Sequence, residues 1–331
     1  SSGGAMVISL SDPIITNCIF SENFSSSSGG GIVVASSAPI ISNSIFKGNS
    51  AASGVGGGLF SSSSSSPIIT NSIFTGNFAS SSGGAIYSNG ATSLNLTNST
   101  IAANRSTANN GGIVYALGTL NVKNCIVWGN TATAAISSGI PSTTYNVSNS
   151  IVQGGYTGIG NYDIDPLFIA TQLESAAPTT AGDYRLQPCS PAINIGNNED
   201  VSGTLDLDNN QRIVYDEVDL GAYEQQTNIY VDGKYTTWKG NNTNWHDKIN
   251  WCGGFIPTYE IDATVPATIY NPVLSAAGET KDIILNNGTS IETTNAGQLA
   301  INDIYTNNGS AITNNGNWVM AGNANTQTFP G

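Results

Sequence analysis

Charged residues are scarce in this chain of 331 residues, at 9% of the sequence, against about 25% in an average soluble domain. The shortage is greatest among the cations, because nine Lys and Arg stand against 22 Asp and Glu and leave a formal net charge of −13. A surface of this sign repels nucleic-acid phosphates and anionic lipid head groups alike. Nucleic acid is therefore excluded as an expected partner.

Membrane and metal signatures are also missing. The sequence contains no run of 18 or more apolar residues and no basic segment followed by an apolar one at its start, so direct membrane insertion is not expected. Its four cysteines, Cys18, Cys125, Cys189 and Cys252, have no C-x-x-C spacing, which removes the basis for a zinc or thioredoxin-type site. Whether Cys189 and Cys252 form a disulfide is left open by the spacing.

What the sequence does contain is an internal repeat. A glycine-rich step recurs through the first half and closes on Ile32, Leu59, Ile86 and Ile113, each 27 residues from the next. Between these steps lie runs of three to five residues rich in β-branched side chains, such as 39–42 and 67–70. Strands this short bury a face only by pairing with their copies in neighbouring coils, about 4.8 Å away. The repeat therefore predicts an all-β fold, a right-handed parallel β-helix with coils of about 27 residues.

Aligning the coils places equivalent residues in columns. One column stays aliphatic in six coils and is predicted to face the core: Ile15, Ile41, Ile69, Leu96, Val122 and Val147. A second holds asparagines at the bend that ends the same strand: Asn17, Asn43, Asn71, Asn98, Asn124 and Asn149. We interpret these six as a structural ladder of side-chain amides bonded from coil to coil. The same explanation serves a further asparagine column, Asn23, Asn49, Asn77, Asn104 and Asn130.

Alternation along a strand makes a prediction about the outer surface. If Ile15, Ile41 and Ile69 point inward, their neighbours Ile14, Ile40 and Ile68 point outward, whereas later coils have Asn95, Asn121 and Asn146 in that column. Exposed apolar strips of this kind mark contact surfaces. We therefore predict that the first three coils pack against another segment or subunit, the alternative being cover by the protein's own loops.

The repeat resembles a known family. Gly-Gly-Ala-Ile at 83–86, paired with Phe-x-x-Asn at 20–23, 46–49 and 74–77, is similar to the repeat of chlamydial polymorphic outer-membrane proteins and related bacterial surface β-helices. Later coils depart from this pattern, since Ile101 and Val127 replace the Phe.

Two further segments carry resemblances of their own. Five ordered motifs resemble the closing region of right-handed β-helix proteins with a choice-of-anchor ending, and they lie at 165–168, 183–186, 190–193, 206–208 and 218–224. From 227 onward, Trp238, Trp245 and Trp251 with their neighbours resemble the start of modules in large Bacteroidetes surface proteins. Asn-Asn-Gly at 286–288 and 307–309 recurs after 21 residues and predicts a shorter coil of roughly 20 residues.

These resemblances imply three regions and export to the cell surface. The expected regions are β-helix coils at 1–160, an acidic closing region at 161–226, and a second β-rich solenoid module at 227–331. The last module is expected to be truncated, because residues 328–331 fall in the middle of a coil. The chain is accordingly expected to be a piece of a longer secreted protein.

Catalytic groups are sparse where the coils would need them. Polysaccharide lyases that share this fold class require clustered carboxylates with calcium or a cation, yet 1–150 contain just five charged residues: Asp12, Glu22, Lys47, Arg105 and Lys123. Twelve carboxylates lie instead between Asp163 and Glu224.

One part of this acidic segment has the one, three, five and twelve spacing of a calcium loop, at Asp206, Asp208, Asn210 and Glu217. Gln211, however, stands where the sharp turn of such a loop needs Gly. We favour a turn for this segment and keep calcium as the alternative.

The remaining candidates also favour structural roles. His246 is the sole histidine and has no nucleophile near it in sequence, so a surface role is favoured. Trp238, Trp245 and Trp251 are interpreted as packing residues, with sugar stacking as the alternative.

We therefore expect no enzymatic activity and no cofactor. The chain is expected to be a structural or adhesive segment of a large secreted bacterial surface protein. Its expected partners are other segments or subunits of a surface assembly, with glycans as further candidates. The alternative function is a polysaccharide-binding or lyase-like β-helix.

Overall fold

The computed structural model describes residues 3–62, 64–90, 92–108, 110–115, 117–131, 135–138, 144–227, 230 and 233–320. The chain forms two compact units: unit 1 comprises Ser1–Gln187 and Gly196–Gln226, and unit 2 comprises Pro188–Ile195 and Thr227–Gly331. The predicted truncation at 328–331 lies outside the described residues.

Unit 1 contains six coils, whose short parallel strands stack into four walls. The first wall consists of Met6–Ser9, Ile32–Ala35, Leu59–Ser62, Ile86–Asn89, Ile113–Tyr115 and Ile136–Ser138. The second consists of Ile14–Thr16, Ile40–Ser42, Ile68–Thr70, Ser93–Thr97, Thr119–Lys123 and Thr144–Ser148. The third consists of Ile19–Ser21, Ile45–Lys47, Ile73–Thr75, Thr100–Ala102, Ile126–Trp128 and Ile151–Val152, and the fourth of Phe24–Ser25, Ser50–Ala51, Phe78–Ala79 and Arg105–Ser106.

The predicted parallel β-solenoid is confirmed. Pairing in the first wall joins Ile32 to Leu59, Leu59 to Ile86, and Ile86 to Ile113, so the register advances by the 27 residues of the repeat. The predicted aliphatic column of the second wall is buried in every coil, and the rings of Phe20, Phe46 and Phe74 stack inside at 4.7 and 4.3 Å. The glycine-rich steps let the backbones approach closely, since a Cβ on Gly31 would lie 2.5 Å from the carbonyl oxygen of Gly58.

Buried asparagines bond one coil to the next at the turn after the third wall. The Nδ2 of Asn49 donates to Oδ1 of Asn77 at 2.9 Å, and Asn77 donates in the same way to Asn104 at 2.8 Å. The second Nδ2 hydrogen of Asn77 goes to the carbonyl of Phe46, and its Oδ1 also accepts the backbone N–H of Asn49. The full series is Asn23, Asn49, Asn77, Asn104 and Asn130. Each interior amide of this ladder is satisfied without water, which a buried amide requires.

The other asparagine column, predicted as the ladder, requires a correction. Asn17, Asn43, Asn71, Asn98, Asn124 and Asn149 all have left-handed backbones, with φ between 45° and 54°. Asparagine tolerates this conformation better than other residues with a side chain, so the column makes the corner between the second and third walls. The amides of Asn71 and Asn124 donate to carbonyls of the closing region, at Leu205 and Asn197, rather than to the next coil.

The part of the closing region that belongs to unit 1, residues 161–187 and 196–226, lies along the flank of the coils. Its described elements are the antiparallel strands Phe168–Ala170 and Asp183–Leu186 and the 3₁₀ turns Glu174–Ala176 and Asn198–Asp200. The backbone N–H of Thr179 donates to the carbonyl of Gly76 at 2.9 Å, and the N–H of Ala222 donates to Oγ1 of Thr100 at 3.0 Å. Contacts of this kind extend over several coils, so the closing region covers part of their outer surface.

Unit 2 is a second, shorter parallel solenoid of three walls. Its strands are Tyr235–Thr237, Asp262–Val265, Ile283–Leu285 and Tyr305–Asn307 in one wall, Val273–Leu274, Ser290–Thr293 and Ala311–Asn314 in the next, and Ala277–Thr280, Gln298–Ile301 and Asn317–Met320 in the third. Two 3₁₀ turns, Lys248–Asn250 and Cys252–Gly254, lie between the first and second strands of the first of these walls. Ile291 pairs with Ile312, which is the 21-residue offset read from the sequence.

A disulfide between Cys189 and Cys252 joins the two segments of unit 2. The bridge closes a loop across 63 residues, and restricting the unfolded chain over that length stabilises the folded state by about 4 kcal/mol. Cys18 and Cys125 are free. They replace serines in a column of unit 1 whose other members accept a backbone N–H from the preceding coil, as Ser44 does from Cys18.

The ladder yields a stability prediction. Replacing Asn77 with Ala leaves the buried N–H groups of Asn49 and the carbonyl of Phe46 without partners, and each such group costs about 1–3 kcal/mol. We expect Asn77→Ala to lower the free energy of unfolding of unit 1 by at least about 3 kcal/mol, measured by urea denaturation. The matched control is Asn121→Ala, in an amide ladder on the outer face, where water replaces the lost bonds. Equal losses in the two variants would contradict the assignment.

Candidate functional site

The outer face of the second wall carries an apolar strip, defined as Ile14, Ile40 and Ile68. Their side chains are 73%, 41% and 40% exposed, while the alternating residues Ile15, Ile41 and Ile69 are buried. The three isoleucines are register partners in successive coils. The outward orientation predicted from alternation is therefore confirmed.

The strip ends where the column changes to asparagine. Asn95 is the register partner of Ile68, and Asn121 and Asn146 continue the column. Asn121 donates to Asn95 at 2.6 Å and Asn146 donates to Asn121 at 2.8 Å, so these outer amides bond from coil to coil. The same column is thus polar in the later coils, where its amides hydrogen-bond to one another, and apolar in the first three coils.

The closing region covers part of the strip. Residues 202–205 lie over the second wall and form one side of a groove whose other side includes Ile40 and Thr70. The Nδ2 of Asn71 fixes this loop through a 3.1 Å bond to the carbonyl of Leu205. Cover by the protein's own loop, the alternative considered above, therefore applies to the middle of the strip, and Ile14 lies in its open part.

Sequence reasoning missed a neighbouring exposed residue, Ile19. Its column on the third wall is buried in the later coils, where Ile73 is 2% exposed and Ile126 and Ile151 are fully buried, but Ile19 is 64% exposed. The closing region makes the difference, since Gly221 packs against Ile126. No local signal distinguishes Ile19 from Ile126, because the residue that covers Ile126, Gly221, lies 95 residues further along the chain.

Four charged residues of the closing region form a buried network. Arg212, Asp206, Asp219 and Glu224 are each at most 6% exposed. The Nη2 of Arg212 donates to the carbonyls of Asp219 and Gly221 at 3.0 and 2.7 Å, and both carboxyl oxygens of Glu224 accept backbone N–H groups. Three carboxyls against one guanidinium leave excess negative charge in a low-dielectric interior. Burial, and next the proximity of Asp219, raise the pKa of Glu224 to about 9.

The calcium-loop candidates are engaged by the protein itself. Oδ1 of Asp206 accepts the backbone N–H groups of Asp208 and Asn210, and its Oδ2 accepts that of Glu224. Asp208 forms a two-point ion pair with Arg185, at 2.6 and 2.8 Å. Oxygens that accept N–H groups are directed at donors rather than at a metal ion. The arrangement is that of the hydrogen-bonded turn favoured from the sequence.

The other candidates do not converge on a reactive centre. Trp238, Trp245 and Trp251 are at most 1% exposed and pack edge to face, with centroids 5.1 and 4.7 Å apart. They form part of the core of unit 2, as the packing interpretation predicted. The Nε2 of half-buried His246 lies 2.8 Å from the carbonyl of Ala277. Within the described residues, no three or more His, Cys, Asp or Glu are grouped as metal ligands.

Comparison with known proteins returns no relative. No protein-family model matches the chain, and no curated protein or solved structure matches it. Of the helices within the described ranges, none has the length and apolar character needed to cross a membrane. The class that the structure defines is thus a parallel β-solenoid with asparagine ladders.

The buried network yields a pH prediction. Because the pKa of Glu224 is raised to about 9 from about 4.3 in an unfolded chain, native unit 1 retains a proton that the unfolded chain releases. Stability contributed by this proton is complete below about pH 4.3 and falls as the pH rises towards 9, by up to about 1.4 kcal/mol per pH unit. We expect Glu224→Gln, which cannot ionise, to flatten the fall in unfolding free energy between pH 5 and 9. An unchanged slope in the variant would refute this.

Proposed function

We propose that this chain is a structural or adhesive segment of a secreted bacterial cell-surface protein, and that the apolar strip contacts another segment or subunit of the assembly. The observation that carries the proposal is the change of one column from isoleucine to asparagine on an unchanged backbone. Since Asn95, Asn121 and Asn146 satisfy the fold there, Ile14, Ile40 and Ile68 are not needed for folding. An apolar surface without a folding role indicates contact.

Export is supported by the disulfide. Cys189–Cys252 is a bond that persists in oxidising compartments and is rare in the cytosol of most organisms. The resemblance of the glycine-rich and Phe-x-x-Asn repeats to bacterial surface β-helices agrees with this location.

We further propose that the chain is not an enzyme. The first 150 residues have five charged side chains, and the acidic residues Asp206 and Asp208 of the closing region are occupied by backbone donors and by Arg185. A lyase needs a free base and a cation that stabilises the developing anion.

The lyase-like alternative has a direct assay. We expect no release of unsaturated or reducing sugars from acidic polysaccharides, with or without added calcium. Release that disappears in Asp206→Asn or Asp208→Asn would establish the alternative and overturn the structural assignment. Asp206→Asn keeps the oxygen that accepts the N–H groups of Asp208 and Asn210 but loses the acceptor of the Glu224 N–H, and Asp208→Asn keeps one of its two acceptors for Arg185. Circular dichroism of each variant checks that it folds.

The contact surface is tested by replacing the strip. We expect Ile14→Asn, Ile40→Asn and Ile68→Asn combined to leave the fold intact, because asparagine occupies this column in the later coils. Each isoleucine buried in a contact contributes about 1.5 kcal/mol or more, so we expect self-association, measured by sedimentation velocity, to weaken by at least about tenfold.

The matched control replaces three exposed isoleucines outside the strip, Ile159, Ile169 and Ile269, with Asn. Equal weakening in the control would deny the strip a specific role. A parent chain that stays monomeric at every concentration would count against contact between subunits. Unfolding of the triple strip variant would show that the column supports the core.

A further inference from the structure

A groove lies where the third wall turns into the fourth, in the fourth and fifth coils. Its lining includes Ala102 and Ala103 of one coil and Trp128 and Gly129 of the next. Ala102 stands in the column that holds Lys47 and Thr75 in earlier coils. Small residues in the lining thus leave room beside the large aromatic ring of Trp128.

The opposite side of the groove is built by the closing region. Phe168 and Tyr184 pack edge to face at 5.3 Å on neighbouring antiparallel strands. The approach to these strands is fixed by the N–H of Gly154, which donates to Oδ1 of Asp163 at 3.0 Å. Both sides of the groove belong to unit 1, and its volume is about 190 Å³.

The lining combines an apolar face with hydroxyl-binding groups. Trp128 is only partly buried and offers a flat aromatic surface, whereas Asp165, Thr171, Gln172 and Glu174 provide polar groups around it. None of the described lining residues is Lys, Arg or His. A ligand here meets carboxylate acceptors, an amide and a hydroxyl. The guanidinium of Arg105 is engaged next to this lining, where its Nη1 donates to the carbonyl of Ser175 at 3.5 Å.

We propose that this groove binds the ring of an uncharged sugar. A pyranose presents an apolar C–H face suited to an indole ring and a rim of hydroxyls suited to carboxylates and amides. The carboxylates at the rim, in a chain of net charge −13, disfavour uronic acids and other anions. A quaternary ammonium ion is less well matched, because Phe168 and Tyr184 already pair with each other and leave one exposed aromatic wall instead of a cage.

This inference rests on the proposed adhesive function and specifies the chemical class that one of its sites recognises. The groove is separate from the apolar strip, since none of the strip residues lines it. Sugar binding and self-association can therefore be lost independently.

The test uses the full chain and ligand-observed NMR titration. The probes are the methyl glycosides of glucose, galactose, mannose and N-acetylglucosamine, with methyl glucuronide and tetramethylammonium as comparison ligands. We expect at least one neutral glycoside to bind, and methyl glucuronide to bind at least tenfold more weakly. Trp128→Ala is expected to weaken binding of the neutral ligand at least tenfold, while Trp128→Phe, which keeps an aromatic face, loses much less.

Two further variants separate recognition from folding. Gln172→Ala removes a rim amide without touching the aromatic wall, and its expected effect is a several-fold loss of sugar affinity even if Trp128→Ala unfolds. Tyr259→Ala removes an exposed aromatic of unit 2 and is expected to leave affinity unchanged.

The result that overturns the inference is absence of binding by every neutral glycoside, or binding that is insensitive to both groove variants. Tighter binding of tetramethylammonium would assign the groove to cations, and tighter binding of methyl glucuronide would assign it to anions, so either also overturns it. The triple asparagine variant of the strip is expected to retain sugar binding. If only the groove variants lose sugar binding, the proposal that the apolar strip is a contact surface is unaffected.

Discussion

Backbone pairing between successive coils, in register and at one fixed spacing, is the constraint on which the rest of this structure depends. Every outward or inward side chain lies about 4.8 Å from its equivalent above and below, so neighbours in a column stabilise the fold where they pack against or hydrogen-bond to each other. Isoleucine, phenylalanine, serine and asparagine do so here. Like charges at that distance repel. The scarcity of charged residues in the coils follows from this geometry, and the acidic residues concentrate in the closing region, which does not stack.

The two asparagine columns show how one residue type serves two physical purposes in the same coil. At one turn the amide is buried and bonds both to its neighbour and to a main-chain carbonyl, as Asn77 does. At the other turn asparagine is present because its backbone accepts a positive φ, and its amide is then available to the closing region, as Asn71 and Asn124 show. The first column links successive coils to each other, and the second column binds the closing region to the coils.

The closing region determines which surfaces of the coils reach solvent. It buries Ile126, partly covers Ile40 and leaves Ile14 and Ile19 exposed. It also supplies one side of the groove beside Trp128. Both proposed contact sites, the apolar strip and the sugar groove, thus depend on the regular coils and on the irregular closing region that packs against them. The coils provide columns of identical spacing, and the closing region gives some coils a different solvent exposure from others.

The amino-acid sequence by itself determined the period of unit 1, the register of its strands and the inward or outward orientation of residues such as Ile14 and Ile15. These properties are local, because a repeat of 27 residues and a strand alternation of two can be read within a single coil. Tertiary structure alone decided which asparagine column bonds from coil to coil, that Cys189 pairs with Cys252, and that Ile73 is buried while Ile19 is not. Each of these depends on a residue in another coil or in the closing region. The partners are far apart in the sequence, and no sequence pattern near either one indicates that they meet. The groove beside Trp128 belongs with them, since its two sides come from segments that meet only in the folded unit.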